Sequence, residues 1–194
     1  MRKAKLAVFA SGTGSNYDAI IEAINKGTLD AEVTLLVCDR PKARVVEKAK
    51  RNGTPSFVFD PKQYAKKEMF ESKIVEILKE AEIDLVILAG YMRLIGKTLL
   101  QPFEGKIINI HPSLLPSFPG LDAIGQAFNA GVKVSGVTVH YVDAGMDTGK
   151  IIAQDIVNIT DEMTREELQN EIQKVEHKLY PETIQKLISR GESS

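Results

Sequence analysis

The chain contains one cysteine, no tryptophan and three histidines among its 194 residues. A single thiol excludes an internal disulfide framework and any cysteine-built zinc site. Three histidines leave little material for a multi-histidine metal centre, so no metal is expected. No stretch approaches the about 18 uninterrupted apolar residues that a membrane helix needs. Charge of either sign is not in excess, with 25 basic against 26 acidic residues. That balance argues against a duplex nucleic-acid binder held by bulk electrostatics. Eight prolines and 14 glycines are near average use, which excludes a collagenous or wholly disordered chain.

Hydrophobic types supply 43% of the residues, enough for one sizeable core, and the length suits one domain. The start, MRKAKLAVFA, superficially resembles a signal peptide. The apolar run breaks at SGTGSN without a cleavage site, so it reads as a first buried strand of a cytoplasmic protein. One domain is expected over residues 1–189, with a frayed tail at 190–194.

Apolar runs at 5–10, 33–38, 55–59, 84–89 and 106–110 alternate with amphipathic stretches. The stretches carry Ile20, Ile21 and Ile24, then residues 43–51, then 67–82. Strands apolar on both faces need helices above and below them. The expected fold is therefore α/β, three-layered and Rossmann-like, with a mostly parallel sheet. After residue 131 the pattern changes, and 134–142 with 151–157 predict an antiparallel strand pair at the sheet edge. A capping box, Thr164 with Glu167, opens a long final helix with Leu168, Ile172, Val175 and Leu179 as its apolar stripe. Pro181 is expected to kink or interrupt that helix.

Several segments carry candidate chemistry. In SGTGSN (11–16), glycines permit a tight turn that leaves N–H groups at a helix start to hold a phosphate. Ser15 is the expected helix cap, with Asp18 as its partner. Dinucleotide binding would want a glycine at position 17, where Tyr17 stands, although Asp39 ends the second strand. A purely geometric turn is the competing reading. Asn109 and His111 lie two residues apart at the carboxyl end of a strand, where ligands gather in open α/β sheets. An amide beside an imidazole suits oxyanion binding and proton transfer, unless backbone groups merely satisfy the histidine. Asp143 and Asp147 are either turn residues or a carboxylate source that stabilises an imidazolium at His111. His140 reads as structural. Glu176 borders the buried stripe of its helix and can face a cleft. Arg93 either recognises a ligand acid or polar ring, or reaches out to solvent. Cys38 reads as buried and inert.

These segments, in order, resemble one family. SGTGSN (11–16), LAGYMRLI (88–95), NIHPSLLP (109–116), FPG (118–120), GVTVHYVDAGMDTG (136–149) and VEHKLYP (175–181) are similar to the folate-dependent phosphoribosylglycinamide formyltransferases, over essentially the whole chain. NIHPSLLP by itself is shared with methionyl-tRNA formyltransferases and formyltetrahydrofolate deformylases; SGTGSN and the terminal helix motif narrow the match. The resemblance implies a formyltransferase fold. It also implies transfer of a formyl group from 10-formyltetrahydrofolate, the cosubstrate, to the amine of glycinamide ribonucleotide, without a metal. Gly14, Ser15, Asn16, Gln173 and Glu176 would bind the ribonucleotide. Lys67, Met92, Arg93, Leu94, Ile95, Asn109 and Asp143 would meet the folate, and Asn109, His111 and Asp147 would be catalytic. Lys67 stands where many relatives carry arginine, keeping the charge but not the bidentate fork. Leu121 replaces a common basic residue, and Lys150 a common proline. The implied partners are small molecules, with no nucleic acid and no membrane, in a monomer or homodimer. Hydrolysis of the formyl donor, another folate-dependent transfer, or a non-catalytic binding module are the alternatives.

Overall fold

Alternate residues of a strand point to opposite sides of its sheet, so a continuous apolar run needs cover on both. A computed structural model, describing residues 2–191, shows how that cover is provided. Strands β1 (Ala4–Phe9), β2 (Ala31–Cys38), β3 (Ser56–Val58), β4 (Leu85–Leu88), β5 (Ile107–His111), β6 (Val134–Tyr141) and β7 (Ile151–Asn158) form one sheet. Its order is β3-β2-β1-β4-β5-β6-β7. The first five strands pair in parallel, while β6 runs antiparallel to both β5 and β7. This is the expected α/β architecture, with the antiparallel pair at one edge.

The helices are α1 (Ser15–Asn25), α2 (Arg44–Arg51), α3 (Lys67–Glu80), α4 (Lys97–Leu100), α5 (Ala123–Ala130) and α6 (Arg165–Ser189). Leu6, Val8, Leu36, Ile87 and Ile108 pack on Ile20 of α1, Val45 of α2, and Ile172 and Ile184 of α6. Their neighbours Ala7, Phe9, Val37, Val86 and Ile107 pack on Phe70, Ile74 and Leu78 of α3 and Leu99 of α4. Each fully buried side chain of this size contributes about 1.5–3 kcal/mol, and both faces of the central strands gain it.

The capping box at the start of α6 is present. Thr164 Oγ1 accepts from the Glu167 N–H at 3.2 Å, and the Glu167 carboxylate accepts from the Thr164 N–H at 2.7 Å. Of the two outcomes expected at Pro181, interruption does not occur, since α6 is continuous from Arg165 to Ser189. An interior proline costs about 3 kcal/mol, and the surrounding anchorage outweighs it. Pro181 is buried with Tyr180 and Ile184, and the Tyr180 hydroxyl donates to the carbonyls of Leu88 and Ile108 at 2.8 and 3.2 Å. Of the tail expected at 190–194, Arg190 caps α6, while residues 192–194 lie outside the described residues.

Candidate active site

The carboxyl ends of β4 and β5, the loops after β5 and β6, and one side of α6 enclose a cleft of about 520 Å3. Asn109 and His111 share a face of β5, because Ile108 and Ile110 between and beside them point into the opposite core. His111 is buried, and its Nε2 donates to the Phe118 carbonyl at 2.9 Å. Its Nδ1 lies 3.6 Å from Asp147 Oδ2. Both ring nitrogens thus face acceptors, and an imidazolium can donate from each. A separation of 3.6 Å exceeds a direct hydrogen bond, so the carboxylate acts on the ring through its charge.

Asp147 has a left-handed backbone, φ 56°, a conformation that persists in a side-chain-bearing residue only when its surroundings enforce it. Oδ2 also accepts from the Gly120 N–H at 2.8 Å, and Oδ1 lies 3.8 Å from His140 Nε2. One carboxylate therefore ties the loop after β5 to the loop after β6. Asp143 closes the second loop internally, accepting from the Gly145 N–H at 3.0 Å and the Thr148 hydroxyl at 2.7 Å. Gly149 ends this loop so close to β6 that a Cβ there would collide with the Tyr141 carbonyl oxygen.

His140, read from sequence as structural, lines the cleft. Its Nδ1 donates to the Tyr141 carbonyl at 2.8 Å, which leaves Nε2 as an acceptor, 3.4 Å from Asn109 Nδ2. Burial pushes the His140 ring below its ordinary value of 6.5, which keeps that acceptor unprotonated. The contact orients the Asn109 amide and leaves its second N–H for the cleft. No local sequence signal marks this role, which arises because β6 pairs with β5 so that His140 faces Asn109 directly.

On the other wall, Met92, Arg93, Leu94 and Ile95 line the cleft, with Met92 and Leu94 exposed and Ile95 buried. Asp39 anchors this segment, a role that sequence reading missed. It is buried, accepts from the Ser11 hydroxyl at 2.5 Å and takes Arg93 Nε at 2.9 Å. Ser11 Oγ in turn accepts from the Met92 N–H at 2.9 Å. Arg93 thus has one edge fixed by a buried carboxylate and its guanidinium 5.9 Å from the Phe70 ring centre, while its side chain stays 40% exposed. Lys67 does not reach the cleft. Its Nζ donates to the Leu94 carbonyl at 2.5 Å and lies 3.6 Å from Glu71, steadying the same segment from behind.

At the start of α1 the capping residue is Gly14, not Ser15, and no side chain caps the helix. Gly14 has φ 74°, and a Cβ on it would stand 2.5 Å from Val45 Cγ2. Only glycine fits both the turn and the approach of α2. Asp18, expected as Ser15's partner, pairs with Lys48 at 2.5 Å instead. The first helical bond runs from the Asp18 N–H to the Gly14 carbonyl at 3.0 Å. The N–H groups of Ser15, Asn16 and Tyr17 therefore precede any intrahelical acceptor. Tyr17 is buried, its hydroxyl 2.7 Å from that of Thr54. Asn16 lines the cleft, and its buried Oδ1 has no hydrogen-bond partner among the described residues. Ser15 borders a smaller pocket between α1 and α6.

Glu176 and Gln169 bring α6 into the cleft. Burial alone pushes the Glu176 carboxyl from its ordinary 4.5 up to about 7. Gln173, half-buried, stands on the same side of the helix between them without lining the cleft. Gln169 and Tyr91 also line it and were not singled out from sequence. Cys38 is buried, its thiol donating to the Arg40 carbonyl at 3.3 Å, and burial raises its pKa. No cluster of three or more potential metal ligands occurs among the described residues, and none of the described helices is long and apolar enough to cross a membrane.

Residues 4–184 match the sequence model of the formyl transferase family. The chain is 56% identical over 193 residues to the phosphoribosylglycinamide formyltransferase of Bacillus subtilis (strain 168), covering 98% of this chain and 99% of that protein. The crystal structure of phosphoribosylglycinamide formyltransferase from Bacillus halodurans superposes with a TM-score of 0.93 at 57% identity, over 96% of each chain. That of glycinamide ribonucleotide transformylase 1 from Geobacillus kaustophilus gives 0.93 at 58% identity, over 95% of this chain and 98% of that one. With Asn16 of α1, the Asn109–His111 strand end and the Asp147 loop meeting at one cleft, the chain belongs to the phosphoribosylglycinamide formyltransferase family.

Proposed function

We propose that the cleft transfers the formyl group of 10-formyltetrahydrofolate to the primary amine of N1-(5-phosphoribosyl)glycinamide, a step of purine biosynthesis. The observation that carries this reading is the meeting of Asn109, His111 and Asp147 between two unlike walls. One wall carries Asn16, with its unpartnered Oδ1, at the uncapped start of α1, which suits a phosphate and a ribose hydroxyl. The other offers exposed Met92 and Leu94 beside Arg93, which suit a flat ring system with an acidic tail. A volume of about 520 Å3 falls in the range of small-molecule sites.

Holding both substrates turns attack of the amine on the formyl carbon into a positional problem. Negative charge then grows on the formyl oxygen. The free N–H of Asn109 is aimed to meet it, and a protonated His111, balanced by Asp147, adds positive charge nearby. Glu176, on the ribonucleotide side, pairs with the substrate amine if that arrives as ammonium. The tetrahedral intermediate collapses by breaking the bond to N10 of the folate, and the proton lost by the amine ends on that nitrogen. The reaction so drawn uses no metal and no covalent enzyme intermediate.

The test is to incubate the protein with both substrates and follow formylglycinamide ribonucleotide and tetrahydrofolate together. Equal appearance of the two is expected. Release of formate at the same rate with or without the ribonucleotide would identify a hydrolase instead. Asn109→Ala should lower kcat by about a hundredfold or more, the loss of one oxyanion donor, with little change in either KM.

A further inference from the structure

Residues 91–96, which carry the wall read as meeting the folate, adopt neither helix nor strand. Without a helix or strand ladder, the shape of such a segment depends on what it is tied to. Its first half is tied through Met92 to Ser11 and through Arg93 to Asp39. Its second half is tied to a different buried carboxylate, Glu71 of α3, which the chemistry of the cleft does not use. Glu71 is buried on α3 with Phe70 and Ile74, its side chain only 3% exposed. A charge at such depth persists only when partnered. Its Oε1 accepts from the Gly96 N–H at 2.7 Å and lies 3.6 Å from Lys67 Nζ, which itself donates to the Leu94 carbonyl at 2.5 Å. Gly96 opens α4 with φ -87°, a backbone open to any residue, so its need for glycine is spatial. A Cβ there would stand 2.5 Å from Glu71 Oε2 and 3.0 Å from Oε1. One carboxylate thus packs on Gly96 and reaches Leu94 through Lys67, while none of Glu71, Lys67 and Gly96 lines the cleft.

We propose that Glu71 is a positioning residue for the formyl donor: it holds residues 94–96 in the shape that meets the folate ring, and touches neither substrate. The proposal rests on the folate reading of this wall. The carboxylate reaches the segment at two points, so its loss frees Leu94 and Gly96 together. The Asn109–His111 strand end keeps its own supports, His140 and the Phe118 carbonyl. The start of α1 keeps its fit against Val45. The cost therefore falls on capture of the formyl donor, and not on the chemical step or on the ribonucleotide. A buried hydrogen bond to a charged group is strong enough for its loss to weaken binding by about tenfold.

Steady-state kinetics with each substrate varied in turn test this in Glu71→Ala, Glu71→Gln, Gly96→Ala and the double variant of Glu71→Ala with Gly96→Ala. Glu71→Ala should raise KM for 10-formyltetrahydrofolate about tenfold, with kcat and the ribonucleotide KM near wild type. Glu71→Gln keeps an acceptor for the Gly96 N–H and should recover most of the loss. Gly96→Ala displaces the carboxylate from the opposite side and should reproduce the defect, which keeps the test available if Glu71→Ala fails to fold. In the double variant Gly96→Ala should add no further loss, because the group it would strike is gone. An unchanged KM for the formyl donor in Glu71→Ala and Gly96→Ala overturns the proposal. So does a lowered Tm with both KM values raised alike, which would assign Glu71 to the fold alone. Additive losses in the double variant, or a defect in Glu71→Gln equal to that in Glu71→Ala, overturn it as well. If the wild type shows no saturable turnover with 10-formyltetrahydrofolate, the folate reading itself fails and the proposal with it; variants that match an active wild type overturn the proposal alone.

Discussion

Glu176 is 9% exposed, and its carboxyl is held up at about 7 by burial alone. The substitution Glu176→Gln keeps the shape and removes the titration. The folded state binds the proton more tightly than the unfolded chain, whose glutamates titrate near 4.5. The contribution to stability is therefore full below about pH 4.5, falls between about pH 4.5 and 7, and is lost above that range. A rise from 4.5 to about 7, at about 1.36 kcal/mol per pH unit, amounts to about 3 kcal/mol. The neighbouring His177 faces Asp18, Glu22 and Lys48 instead and is common to both proteins, so it cancels in the difference. Urea unfolding at pH 5 and pH 8, without substrates, measures the effect. Relative to its own value at pH 5, where part of the contribution is already gone, the wild type should lose about 2.5 kcal/mol more than the variant by pH 8. That corresponds to a relative midpoint shift of about 1 M urea for a chain of this size. Parallel pH profiles for the two proteins, within about 0.5 kcal/mol, would falsify the account of Glu176 as a carboxyl kept neutral by its surroundings. The variant should also lose ribonucleotide affinity, because stability at this position is traded against the charge that meets the substrate.

Two further outcomes follow from the geometry. His140→Ala removes the acceptor that orients Asn109, and should lower kcat by about tenfold to a hundredfold with KM nearly unchanged; His140→Gln, which restores an acceptor, should recover part of the loss, and an equal defect in both variants would reduce His140 to a packing role. Gly14→Ala must adopt a left-handed backbone against Val45 and should cost about 2 kcal/mol, a fall of about 4–8 °C in Tm, together with weaker ribonucleotide binding; an unchanged Tm would refute the stated need for glycine.

The sequence determined the layered sheet, because runs such as Leu85–Leu88 are apolar at every position and have one solution, helices on both sides. It also determined the start of α6, since a capping box is a local device within four residues. It located Asn109 and His111 at a strand end, because a period of two and a following proline are legible in one dimension. Local pattern was insufficient for Ser15 and Pro181. The close approach of Val45 and the left-handed turn at Gly14 set the cap, and buried Tyr180 and Ile184 carry the helix through its proline. Long-range pairing alone could reveal His140 and Asp39. His140 acts because antiparallel register sets it opposite Asn109, 31 residues earlier in the chain. Asp39 acts because three strand ends converge, letting one buried carboxylate hold Ser11 and Arg93 at once. A strand apolar on both faces does not say which helix covers which face or which loops meet above its end. Those choices are made by the packing of α1, α2 and α6 against one side and α3 and α4 against the other, and that packing places the cleft.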